Sequence, residues 1–112
     1  MAEIESRLTA LGLLLPPPIT PPAGVILPFA FVRIVGSRAL ISGHGAQNTD
    51  GSFAHPLGKL GADLSVEQGY RAAHLTALSI LGSLKRAIGD LDRVHAWGRV
   101  FGMVGPPLSL IH

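Results

Sequence analysis

GKLGADLSVEQGYRAAHLTALSILGSLKRAIGDLDRVHAWGRVFGMV, residues Gly58–Val104, is the stretch whose reading decides the fold. Ser65 followed three residues on by Gln68 is a capping box, in which each side chain satisfies a backbone N–H at the helix start. Apolar residues then recur at helical spacing: Ala73, Ala77, Leu81, Leu84 and Ile88, with Leu78 and Ile80 widening the stripe. Gly89 suits the left-handed position that ends a helix. The spacing predicts a helix from Val66 to Ile88, roughly 34 Å long. Asp90-Leu91-Asp92 turns the chain, because aspartates bond their own backbone in turns. Val94–Val104 then alternates two sets of side chains, Val94, Ala96, Gly98, Val100, Gly102 and Val104 against His95, Trp97, Arg99, Phe101 and Met103, and is expected to be a strand.

Upstream, Phe29–Val35 and Arg38–Ser42 read as a β-hairpin around a two-residue turn, Gly36-Ser37, with glycine at its first central position. Gly43-His44-Gly45 ends the second strand, where glycines permit close backbone approach. Thr49-Asp50-Gly51 marks a further turn. Glu3–Leu11 reads as a short helix with Ile4, Leu8 and Leu11 on one face and Gly12 as its stop. Between helix and hairpin lie Pro16, Pro17, Pro18, Pro21, Pro22 and Pro28, a density that favours a stiff extended connector over a PxxP ligand for a partner domain. A long helix between strands packs on one face of a sheet, so the order predicts an α+β fold with a mixed sheet.

Composition narrows the classes. The 112 residues make one small domain, 47% hydrophobic and 14% charged, which excludes intrinsic disorder and hints at faces covered by other subunits. The formal charge is +2, and the cations are scattered, with only Lys85-Arg86 adjacent, so no nucleic-acid patch is visible. There is no cysteine, hence no disulfide or thiolate nucleophile. Glu3 and Glu5 stand where a signal peptide would be basic, and the longest apolar run, Ala23–Val32, is too short to span a bilayer, so a cytoplasmic protein without membrane contact is expected.

Candidate chemistry is sparse. His44, His55, His74, His95 and His112 include no H-x-x-x-H pair and have no carboxylate cluster beside them, so no metal or other cofactor is expected. Ser42 lacks a nucleophile elbow; its hydroxyl is better suited to holding a substrate oxygen or carboxylate with neighbouring amides. Lys59 is either an anion ligand or a solvated loop lysine.

Two blocks resemble the RidA/YjgF family, in the branch often labelled endoribonuclease L-PSP. The first is Leu40-Ile41-Ser42-Gly43-His44-Gly45 followed by Asp50-Gly51, similar to a family strand ending in V-S-G-Q, with His44 where glutamine is usual. The second runs from Gly58-Lys59-x-Gly61 through Gly69-Tyr70-x-Ala72-Ala73, Ala77-Leu78, Leu84-Lys85 and Gly89–Val94 to Arg99-Val100. The resemblance implies a chorismate-mutase-like α+β fold, a homotrimer with ligand clefts between subunits, and hydrolysis of reactive enamines and imines to 2-keto acids and ammonia; some members are described as ribonucleases. It divides the chain into an N-terminal helix and connector (1–28), a partial family domain (29–104) and a divergent tail (105–112).

Carried over residue by residue, the resemblance places Ser42 and Gly43 beside the substrate and Phe29 where a tyrosine is common. The family's cleft arginine and acidic residue fall beyond Gly105-Pro106-Pro107. The expectation is therefore a C-terminally truncated member with impaired deamination, whose substrate-binding residues are Phe29, Ser42, Gly43, His44, Lys59 and Arg99; an active enzyme whose cleft uses Ser42, Lys59 and Arg99 in a divergent way is the first alternative. The other readings are a chaperone-like oligomer that binds a small carboxylate without chemistry, and an endoribonuclease.

Overall fold

The computed structural model describes residues 3–19, 24, 30–52, 54 and 65–102. The chain runs in the order α1 (Glu3–Ala10), β1 (Val32–Val35), β2 (Arg38–Ile41), α2 (Val66–Ile88) and a 3₁₀ turn, Leu91–Arg93. This is the expected α+β order, and the long helix has the expected bounds.

The capping box is present in both directions: Gln68 N donates to Ser65 Oγ at 3.2 Å and Ser65 N donates to Gln68 Oε1 at 2.9 Å. Gly89, at φ +84°, donates its N–H to Lys85 O and ends α2. A side chain there would meet no neighbouring atom, so backbone conformation alone selects the glycine.

β1 and β2 pair antiparallel, Val35 opposite Arg38 and Val32 opposite Ile41. Gly36, at φ +60°, opens the two-residue turn, as a primed turn requires. Ser42 N extends the ladder to Phe31 O at 2.9 Å. Among the described residues the sheet has these two strands alone, rather than the mixed sheet expected. The described part of the expected third strand, 94–102, has extended backbone at Val94 but no ladder partner and is not a strand. Alternation supplies the side-chain pattern of a strand, but only a paired neighbour supplies its hydrogen bonds.

The buried face of α2 also departs from the apolar stripe. Leu78, Ser79, Gly82, Ser83 and Leu84 are buried, whereas Ala73 and Ala77 are exposed. The helix is rotated toward the loop after β2 and toward Pro16, so Ser79, Gly82 and Ser83 make three of these five buried positions. Gly82 lies so close to the connector that a Cβ there would sit 3.0 Å from Pro16 O. Among the described residues the buried apolar side chains are Leu84 and Leu91, which are essentially inaccessible, and Leu78 and Ala54.

The two ends of the described chain are clamped together. Asp92 accepts the N–H groups of Glu3 (2.6 Å) and Ile4 (2.8 Å) and so caps α1 from 88 residues away. These bonds, first from Ile4 and then from Glu3, hold its carboxyl below the ordinary carboxylate range. Asp90 in turn accepts Asp92 N at 2.9 Å, and Lys85 reaches Glu5 at 2.9 Å.

Candidate functional site

The site is built where the loop after β2 crosses the polar face of α2. Ser79 and Ser83 lie one turn apart on that face, and Arg86 follows at three residues. Gln47 and His44 meet the two serines from the loop. Ser79 Oγ donates to Gln47 Oε1, while the Gln47 amide nitrogen donates to Gly51 O (3.1 Å) and Pro17 O (3.3 Å). That fixes loop, connector and helix with one buried side chain, whose acceptor and donor are both used.

The second link joins an imidazole, a hydroxyl and a guanidinium. His44 Nδ1 lies 2.7 Å from Ser42 O, and His44 Nε2 lies 2.7 Å from Ser83 Oγ. A carbonyl can only accept, so Nδ1 carries the hydrogen; Nε2 of the neutral ring then accepts the Ser83 hydroxyl proton. Arg86 Nη2 donates to the same Ser83 oxygen at 3.1 Å, and Nη1 donates to Pro16 O at 3.0 Å. Partial desolvation lowers the Arg86 pKa from the ordinary arginine value, but the group remains a cation. Phe31 stacks obliquely on the imidazole, ring centres 5.2 Å apart and planes at 53°.

These groups line a cavity of about 210 Å³ bounded also by Ile19, Gly43, Gly45 and Gln47. Gly43 and Gly45 have no atom within 4 Å of where a Cβ would lie. They therefore open the cavity rather than admit a close-packed backbone, which corrects the reading of Gly43-His44-Gly45 as a point of close approach.

The residues singled out from sequence are placed as follows. Gly43 and His44 face the cavity. The Ser42 hydroxyl is directed into its own hairpin, donating to Phe31 O (3.2 Å) and Ala30 O (3.4 Å), while its carbonyl orients His44. Arg99 is exposed on the 94–102 segment and does not line the cavity. Phe29 and Lys59 lie outside the described residues, as do His55 and His112. Ser79, Ser83 and Arg86 escaped the sequence reading, although a polar stripe at positions 79, 83 and 86 inside an apolar helix is a periodicity signal in its own right. Among the described residues no group of three potential ligands could hold a metal, and no helix is long and apolar enough to cross a membrane.

Residues 5–111 match the family described as "YjgF/chorismate_mutase-like, putative endoribonuclease". The chain is 33% identical over 92 residues to Protein TCP17 of Trypanosoma cruzi, covering 82% of this chain and 54% of that protein. It also resembles the crystal structure of a "putative endoribonuclease" from Shewanella oneidensis MR-1, with a TM-score of 0.64 at 39% identity, over 80% of this chain and 55% of the other. The chain thus spans about half the length of the relatives it matches. Its two helices and hairpin are part of a chorismate-mutase-like fold, and the chain belongs to the YjgF/chorismate-mutase-like family.

Proposed function

We propose that this chain supplies one wall of a site that hydrolyses small, carboxylate-bearing imines or enamines to 2-keto acids and ammonia. The observation that carries the reading is the row His44, Ser83 and Arg86 along one small cavity. Arg86 retains further N–H donors beyond the two bonds it makes, so it can hold a carboxylate by charge-assisted bonds. His44 offers a base or an acid for a water that adds to the imine carbon as the carbon–nitrogen bond breaks and ammonia leaves. A volume near 210 Å³ favours a substrate of a few heavy atoms, below the size of ordinary ligand pockets. The working form in this reading is a cytoplasmic homotrimer whose subunits complete the cleft.

The family's description favours a second reading, RNA cleavage. The scattered cations weigh against it, because RNA affinity rests on grouped phosphate contacts. The deciding experiment measures ammonia released from a system that generates 2-aminoacrylate, with RNA cleavage assayed in parallel. Release above the uncatalysed rate, with a KM that rises about tenfold or more in Arg86→Ala, is the expected result. Unchanged ammonia release together with RNA cleavage would replace it with the second reading.

A further inference from the structure

We infer that Ser83 is a nucleophile activated by His44, and that the cavity accepts short-chain acyl esters. Ser83 is buried, with 7% of its surface accessible, and lines the cavity. Its oxygen sits between a base and a cation: the hydroxyl donates to His44 Nε2 at 2.7 Å and accepts from Arg86 Nη2 at 3.1 Å. A serine is a weak nucleophile until a neighbouring base takes its proton. Here the base is itself oriented, because Ser42 O fixes the hydrogen on Nδ1 and leaves the Nε2 lone pair aimed at Ser83. Nucleophile, base and orienting group therefore form a connected chain, with a carbonyl in the third position.

The reaction balances without any further reactant than water. Ser83 Oγ forms a bond to the ester carbonyl carbon while its proton passes to His44 Nε2. Negative charge collects on the former carbonyl oxygen, within reach of the Arg86 guanidinium. The carbon–oxygen bond to the alcohol breaks, and His44 returns the proton to the departing alkoxide. Water then attacks the acyl-serine, His44 takes its proton and gives it to Ser83 Oγ, and the carboxylic acid leaves. A cavity of about 210 Å³ accommodates a short acyl group. Both reactions draw on His44 and Arg86, but only the ester chemistry needs Ser83 as a nucleophile, so a covalent adduct on Ser83 reports on it independently of ammonia release.

The test uses the full 112-residue chain with methanesulfonyl fluoride and p-nitrophenyl acetate as probes. The expected result is a single covalent adduct mapped by mass spectrometry to Ser83, and acetate-ester turnover with a burst. His44→Gln, which keeps a polar side chain of similar size but removes the base, is expected to slow both by about 100-fold or more. Ser83→Ala is expected to abolish the adduct, while Ser37→Ala in the hairpin turn leaves it intact; circular dichroism checks that each variant is folded. Mapping on the unsubstituted chain needs no variant to fold. No adduct, an adduct on another serine such as Ser42, or labelling unaffected by His44→Gln would overturn the inference, whatever the outcome of the ammonia assay.

Discussion

Asp92 shows how much one side chain can organise. Its carboxylate closes the chain by accepting two N–H groups at the start of α1, where a helix leaves such donors without partners. Because these bonds depress its pKa from the ordinary 3.8, the stabilisation is complete above that value and lost as the pH falls through the lowered one. Acid titration of stability, followed by far-UV circular dichroism, is expected to lose a step below about pH 4 in Asp92→Asn relative to the unsubstituted chain. Gly82 is the residue where helix propensity and packing conflict. Alanine would gain about 1 kcal/mol of propensity. Its Cβ, however, would meet the rigid Pro16 carbonyl at 3.0 Å, and overpacking of that kind costs about 1–3 kcal/mol. Gly82→Ala is expected to lower the melting temperature, and a rise would show that the connector yields.

At the scale of elements, α2 is held by its caps and by a short list of buried contacts. Removing the Ser65 hydroxyl breaks one half of the capping box, and Ser65→Ala is expected to destabilise by about 1 kcal/mol in urea titration. Leu84 is 2% exposed, so Leu84→Ala leaves a cavity in the core and is expected to cost about 2–5 kcal/mol, enough to threaten folding altogether. The hairpin depends less on the core. Ile34, Val35 and Leu40 remain about half exposed, and polar bonds of the loop that follows add to the strands' own contacts with α2. Opening of this hairpin ahead of α2 is expected in hydrogen exchange, because few buried apolar contacts protect it.

Among the described residues, large apolar side chains are left exposed in two segments. One is the hairpin, with Ile34, Val35 and Leu40; the other is the 94–102 segment, where Trp97, Val100 and Phe101 are more than half exposed. Surfaces of this kind mark association, and among the described residues neither outer edge of the two-stranded sheet is paired. Light scattering is expected to find oligomers at micromolar concentration, and Phe101→Lys together with Ile34→Lys to raise the monomer fraction. A soluble monomer for the unsubstituted chain would remove the homotrimer from the proposed function.

Local signals in the sequence determined the elements: the capping box and apolar run defined α2 to the residue, Gly36-Ser37 defined the hairpin turn, and Asp90-Leu91-Asp92 the turn after the helix. Each depends on interactions within a few residues, so each is readable from neighbours in the chain. Tertiary structure decided the rest. Alternation at 94–102 does not make a strand without a partner to take its hydrogen bonds. The buried face of α2 follows what packs against it, and Pro16, Gln47 and His44 draw in Ser79, Gly82 and Ser83 in place of Ala73 and Ala77. The candidate site follows from the same rotation. Ser42 and His44 are legible near a strand end, but Ser83 and Arg86 lie 39 and more residues away, and only the helix–loop contact brings them to His44. Distance along the chain hides such a pairing, because nothing local in either segment encodes the other.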